Sequence, residues 1–421
     1  MKGELFVRPS LRTLSRVALI AAAAFTQAAC SSSGTNATLP GAQPASRTVN
    51  VDAAVFPARL NAFPLTLKAH PICQTQNDNT SVQCQANQYA TGPIANPSTP
   101  ASQIPGLQPA QLAQQYNYSP SSGGSNQTVA VVVAFDNSAH LQNDLNVYRS
   151  TFGLSPCTVA NGCLTFVNQY PKLAIPDPLG LWPIEADLDA EMVSAVCPNC
   201  KIMVAQALDR HIASMSATND VAVANGATEV SNSWSLPESS GSVSYASHFD
   251  HPGIPITAGA GDGGYGVAFP ADLATVIAVG GTTLDIADHQ ESVWPLTGSG
   301  CSALVAKPAF QTDSGCPNRT ANDVSVVADP NTGVAMYSTR AGGWVVMGGT
   351  SVGAPLVAAL YALQGNAKQI DDATSIYANA ASFNKIASGS NGVCSPSYLC
   401  TADGGYSGPA GVGTPNGTSA F

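Results

Sequence analysis

From Gly106 onward the chain alternates uninterrupted runs of β-branched and small apolar residues with helix-like segments. No other feature restricts the possible folds as strongly. The runs are TVAVVVAF (128–135), KIMVAQA (201–207), TEVSNSW (228–234), IPITAGAG (254–261) and TVIAVGG (275–281). A strand with one wet face alternates polar and apolar side chains, whereas these runs, the polar TEVSNSW apart, are almost wholly apolar, so both of their faces must be covered. The expected fold class is α/β: a doubly wound, mostly parallel sheet with helices on both faces. A chain of 421 residues with 44% hydrophobic content can fill such a core.

Only 10% of residues are charged and the formal net charge is -10, which argues against general affinity for nucleic acid. At the start, Lys2, Arg8, Arg12 and Arg16 precede the apolar run VALIAAAAF and then TQAAC, ending at Cys30. Residues 1–30 read as a bacterial export signal, with an apolar run too short to span a membrane. Small residues before a cysteine are similar to a lipoprotein signal box, which would make Cys30 a lipidated N-terminus. Plain secretion with an incidental cysteine is the alternative. The expected location is therefore a cell-surface or periplasmic lipoprotein, or the medium, with the membrane met only through Cys30. Residues 31–105 read as a Ser/Thr/Ala/Gly/Pro-rich tether and a short disulfide-bearing segment. Residues 106–421 form the main domain.

Of 11 cysteines, the ten after Cys30 fall into neighbouring couples: Cys73/Cys84, Cys157/Cys163, Cys197/Cys200, Cys301/Cys316 and Cys394/Cys400. Export makes disulfides the default, and these would be local staples. The CPNC run at 197–200 could instead be a redox or half-zinc motif, but no second CxxC or His pair accompanies it.

The chemistry-bearing stretch is GWVVMGGTSVGAPLVAALYAL (343–363). A small-residue turn entering a helix can hold the Ser351 hydroxyl at the positive end of the helix dipole; a glycine turn feeding a buried helix is the plainer reading. A serine nucleophile needs a base, yet His70, His140, His211, His248, His251 and His289 all lie in contexts that read as surface. Carboxylates are the other candidates. In WPIEADLDAEMVSAV, Glu185 and Asp189 stand four apart, on one face of a helix, where mutual repulsion would raise one pKa. Their plainer reading is a solvated acidic face at a helix start. Asp262, in TAGAGDGGYGVAFPA, follows a predicted strand at the end where open α/β sheets bind ligands; alone it reads as an Asp-Gly turn.

Together these stretches resemble the sedolisin family of serine-carboxyl peptidases. The resemblance runs in order through GLQPAQLAQQYNY (106–118), Glu185-x-x-Leu188-Asp189, SNSWSLPE (231–238), GAGDGGYGVAFPA with IAVGGTTL (277–284), DVSVVADPNTG (323–333), GGTS with Pro355, and GVGTPNG (411–417). It implies a subtilisin-like fold and a polypeptide substrate. It also implies Ser351 as nucleophile, Glu185 as general base, Asp189 as its orienting partner and Asp262 as a protonated donor to the oxyanion. A carboxylate base works near its own pKa, so the reading is an exported endopeptidase acting at acidic pH. The alternatives are a catalytically silent surface lipoprotein of the same build that binds polypeptide and, third, a Ser-His-Asp enzyme of subtilisin type.

Two departures stand out. Family members are usually made with a long N-terminal prodomain, whereas about 75 residues separate Cys30 from the main domain, and Gly263 replaces the usual serine after the oxyanion aspartate. The resemblance also implies a calcium site near the C-terminus, but Lys385 and Ser407 stand where its two aspartates would be. No metal or other cofactor is therefore expected, with Lys385 supplying a tethered charge in the ion's place. The chain is expected to be a monomer.

Overall fold

The apolar runs become the strands of an eight-stranded sheet in a computed structural model that describes residues 69–73, 78–90 and 92–421. The export signal, Cys30 and the tether up to residue 68 lie outside the described residues. All described residues belong to one compact unit, Leu65–Phe421. Across the sheet the order is Gln290–Val293, Ile277–Asp285, Ile256–Gly259, Glu229–Asn232, Thr128–Ala134, Lys201–Ala207 and Leu164–Asn168, with Val324–Val327 also pairing Ile277–Asp285. Every pairing is parallel except that of the Gln290–Val293 edge. The α/β, mostly parallel arrangement expected from the sequence is what forms.

Burial explains the composition of the strands. Thr128–Ala134 and Lys201–Ala207 are buried at every residue but the first, because helices cover them. Ile212–Ala224 packs on both, and Thr350–Gln364 packs on Glu229–Asn232, Ile256–Gly259 and Ile277–Asp285. The edge strand Leu164–Asn168 has only its first residue buried, so it carries no continuous apolar run and escapes a sequence reading based on one.

Two buried helices position the site. Trp182–Val196 has Pro183 in its first turn, and its free N–H groups are capped from outside: Asp177 Oδ2 accepts from Leu181 N at 2.6 Å and Trp182 N at 2.9 Å. Every residue of this helix is buried, so the alternative of a solvated acidic face does not hold. The helix packs against Thr350–Gln364, which starts after Gly349 at φ 98° and ends at Gly365 in the left-handed conformation. Pro355 has no N–H for the Ser351 carbonyl; that oxygen instead accepts from Ser233 Oγ at 3.4 Å.

All five expected couples form disulfides. Peptide mapping without reduction is expected to recover each of them, and free thiols at Cys301, Cys316, Cys394 or Cys400 would contradict the pairing. Among the described residues, no helix is long and apolar enough to cross a membrane.

Candidate active site

Ser351, Glu185 and Asp189 meet at the packing surface of the two helices, each fully buried. Ser351 stands in the first turn of Thr350–Gln364, with its Oγ 3.3 Å from the Ser233 carbonyl. Burial, and then the neighbouring Asp189 charge, push the Glu185 pKa well above the carboxylate range; the Ser351 hydroxyl and the Ala86 N–H oppose that rise. Neither Glu185 oxygen has a partner of ordinary hydrogen-bond geometry. Burial likewise raises Asp189, while Ser233 Oγ, donating to Asp189 Oδ1 at 2.6 Å, counteracts it. Two carboxyls this close in a dry site cannot both be ionised at little cost, so the pair can take up and release a proton.

Asp262 completes the group from the far end of the strand Ile256–Gly259. Its Oδ1 accepts from Thr350 N and Thr350 Oγ1, both at 2.9 Å, and its Oδ2 from Asn87 Nδ2 at 2.5 Å. The residue keeps some exposure, but its carboxyl is enclosed, and this burial raises the pKa to about 7 against the pull of those hydrogen bonds. Below that pH the carboxyl holds a proton and can donate it in a hydrogen bond beside the Ser351 N–H.

The four residues singled out from the sequence therefore stand together. Two contributors were not assigned a role beforehand. Ser233 lies inside the quoted SNSWSLPE, and its hydroxyl ties Asp189 to the nucleophile's turn. Asn87 comes from a polar stretch that carried no signal of its own.

Among the described residues, no histidine hydrogen-bonds Ser351, Glu185 or Asp262. The surface expectation is corrected for three of them. His248 Nδ1 and His251 Nε2 share Asp220, at 2.6 and 3.0 Å, and His140 Nε2 lies 3.6 Å from Asp187. All three are half-buried, His248 and His251 against Asp220 and His140 against the Pro183 carbonyl. The CPNC cysteines are joined to each other. At the C-terminal loops, Lys385 Nζ donates to the carbonyls of Ala380 at 2.6 Å and Val412 at 2.9 Å, and the Ser407 hydroxyl is buried without a partner.

A parallel sheet with a serine at a helix N-terminus and two buried acids on the facing helix makes an α/β site built on carboxylates. Known proteins share this build. Kumamolisin of Bacillus sp. (strain MN-32) is 27% identical over 349 residues, covering 73% of this chain and 62% of that protein. Sedolisin of Pseudomonas sp. (strain 101) is 34% identical over 170 residues, covering 37% of this chain and 27% of that protein. The match thus spans less than two thirds of either relative's length. The solved structure of Pseudomonas sedolisin, a serine-carboxyl proteinase complexed with two molecules of pseudo-iodotyrostatin, superposes with a TM-score of 0.64 at 22% identity. It covers 74% of this chain and 96% of that one. No protein-family model matches the chain. These likenesses support membership of the sedolisin family, and the superposition shows the subtilisin-like fold.

Proposed function

We propose that the protein is an exported serine-carboxyl endopeptidase that hydrolyses polypeptides at acidic pH. The observation that carries this reading is the meeting of Ser351, Glu185, Asp189 and Asp262 from three separate elements. Ser351 Oγ attacks the peptide carbonyl and its proton passes to Glu185, whose affinity for it is raised by burial and by Asp189. Charge developing on the carbonyl oxygen is met by the Ser351 N–H and by protonated Asp262. Glu185 then returns the proton to the departing nitrogen as the carbon–nitrogen bond breaks, and water hydrolyses the remaining ester, giving the carboxylate and restoring Ser351. Sedolisin and kumamolisin support the reaction class, and the N-terminal sequence supports export, with lipidation at Cys30 or free release.

The test is hydrolysis of an unfolded protein substrate across a pH series, beside Ser351→Ala. An optimum between about pH 3 and 5, absent in the variant, is expected. Equal behaviour of the two proteins, together with polypeptide binding, would favour the silent module. An optimum above pH 7 that depends on a histidine would favour a Ser-His-Asp enzyme.

The reading includes no calcium. The Lys385 ammonium donates to two carbonyls in the C-terminal loops, and calcium needs six to eight oxygens, usually with carboxylates among them. A fixed cation in that place repels a second one. Chelator is expected to leave the melting temperature unchanged, and Lys385→Ala to cost about 1–2 kcal/mol, more than an ordinary surface lysine. A stoichiometric calcium ion in the purified protein would overturn this.

A further inference from the structure

Asp262 can serve an oxyanion only if its one proton sits on the oxygen turned toward the substrate, and a neutral carboxyl has two oxygens to choose from. Its surroundings make the choice. Oδ1 accepts twice from Thr350, from the backbone N and from Oγ1, each at 2.9 Å. The Thr350 oxygen in turn accepts from Gly261 N–H at 3.2 Å, which leaves its own hydrogen for Asp262. Oδ2 is placed differently. A Cβ on Gly349 would lie 2.6 Å from it, so it opens on the turn just ahead of the Ser351 N–H. Its contact, Asn87 Nδ2 at 2.5 Å, is a donor that suits the ionised form and turns away once Oδ2 carries a proton.

The fold makes room for this threonine. Thr350 is fully buried at the first position of its helix, and the strand Ile256–Gly259 ends on a residue without a side chain where the two meet. A Cβ on Gly259 would lie 2.8 Å from Thr350 Oγ1 and 3.1 Å from Thr350 Cβ. None of the ion pairs among the described residues includes Asp262, and Glu185, on the facing helix, is the titratable group that senses its charge. With no cation to dictate where the proton sits, hydrogen bonds decide it.

We propose that Thr350 is a positioning residue for the oxyanion acid: its hydroxyl fills the second lone pair of Asp262 Oδ1 and so places the carboxyl proton on Oδ2, toward the forming oxyanion. This rests on the peptidase reading above. The backbone N–H alone would leave one lone pair of Oδ1 open, and the proton would then divide between two oxygens, one of which points away from the reaction. Burial holds the Asp262 pKa at about 7, and the same hydroxyl bond pulls against it by favouring the ionised form. The hydroxyl thus aims the proton and also loosens it. Removing it should weaken catalysis in acid while carrying activity further toward alkaline pH. A packing defect alone does not do both.

Thr350→Val, Thr350→Ala and Thr350→Ser are compared with wild type by steady-state hydrolysis of an unfolded protein across a pH series, with melting temperatures to confirm folding. Without the hydroxyl, kcat at about pH 4 is expected to fall about three- to tenfold, the worth of one hydrogen bond, with KM little changed. The alkaline fall should move upward by about one pH unit. Thr350→Ser keeps the hydroxyl and should restore both. In Asp262→Asn, which has no proton to place, Thr350→Val should leave the pH profile where it is. A second readout needs no activity: infrared titration of Ser351→Ala, taken as the difference from the same protein carrying Asp262→Asn, isolates the neutral-carboxyl band of Asp262. Adding Thr350→Val or Thr350→Ala should keep that band to higher pH and raise its frequency, as the Oδ1 carbonyl loses a donor. An unmoved band with an unmoved alkaline fall, or Thr350→Ser behaving like Thr350→Val, would overturn the proposal and leave the peptidase reading standing. A wild-type protein that hydrolyses nothing at any pH would overturn the peptidase reading, and with it the catalytic use of the proton, whatever the infrared band shows.

Discussion

Ser351→Ala and Glu185→Gln are each expected to lower turnover by about 10⁴–10⁶-fold, and the double variant to be little worse than either alone. In the proposed mechanism nucleophile and base act as one device: without the base Ser351 keeps its proton, and without the nucleophile the base has nothing to activate. Asp262→Asn should behave differently. Its amide can still donate to the oxyanion, so the loss should be about 10²–10³-fold. Its pH profile carries the sharper test. The wild-type carboxyl donates only while protonated, so its contribution fades as pH rises through about 7. An amide has no such limit, and the variant should lose that part of the alkaline fall. A variant profile identical in shape to wild type would remove Asp262 from the oxyanion role. All three variants are read by steady-state kinetics.

Folding stability is expected to be greatest in acid and to fall by several kcal/mol toward neutral pH. Burial raises Asp262 and Asp272 to about 7 and Glu229 to about 8, and it pushes Glu185, Asp187, Asp189 and Glu191 in the same direction. These folded-state values lie above those of the unfolded chain, near 4. Between the two, the folded protein holds protons that the unfolded chain has already released, so raising the pH favours unfolding. The stabilisation is complete below about pH 4 and is lost as pH passes through 7 to 8. Each pKa unit corresponds to about 1.4 kcal/mol, and a few such groups rival the usual net stability of about 5–15 kcal/mol. Glu229 isolates the effect, because it lies outside the site, with Oε1 unpartnered and Oε2 accepting from Thr228 Oγ1 at 2.6 Å. Glu229→Gln should raise the melting temperature at pH 8 and leave it nearly unchanged at pH 4. A wild-type melting temperature that rises from pH 4 to pH 8 would contradict the account.

The proposed acid activity and the expected acid stability have one physical cause. The carboxyl groups that need protons for the proposed chemistry sit in the same dry interior as those that need protons to remain buried. Water reaching Glu185 and Asp189 would ease their desolvation and bring their pKa values down toward the working pH.

Much of this was determined by the sequence alone. Short apolar runs rich in β-branched residues point to strands covered on both faces, because burial of apolar surface is a non-directional demand that each run carries in its own composition. The turn at Gly349 and the four-residue spacing of Glu185 and Asp189 follow equally local rules, as does the pairing of neighbouring cysteines. Tertiary structure alone decided the rest. Whether the acids of Trp182–Val196 face water or the core depends on what packs against that helix, and the answer reversed the ordinary expectation for charged residues. Asp262 and Ser351 lie far apart in the chain and meet through sheet order. Nothing in SVQCQANQY (81–89) marks it as lying beside Ser351, since its hold there comes mainly from backbone hydrogen bonds, which almost any side chains permit. Main-chain pairing leaves little trace in composition, so the approach of Gln85 to Ser351 emerged only once the strands to either side of it were in place.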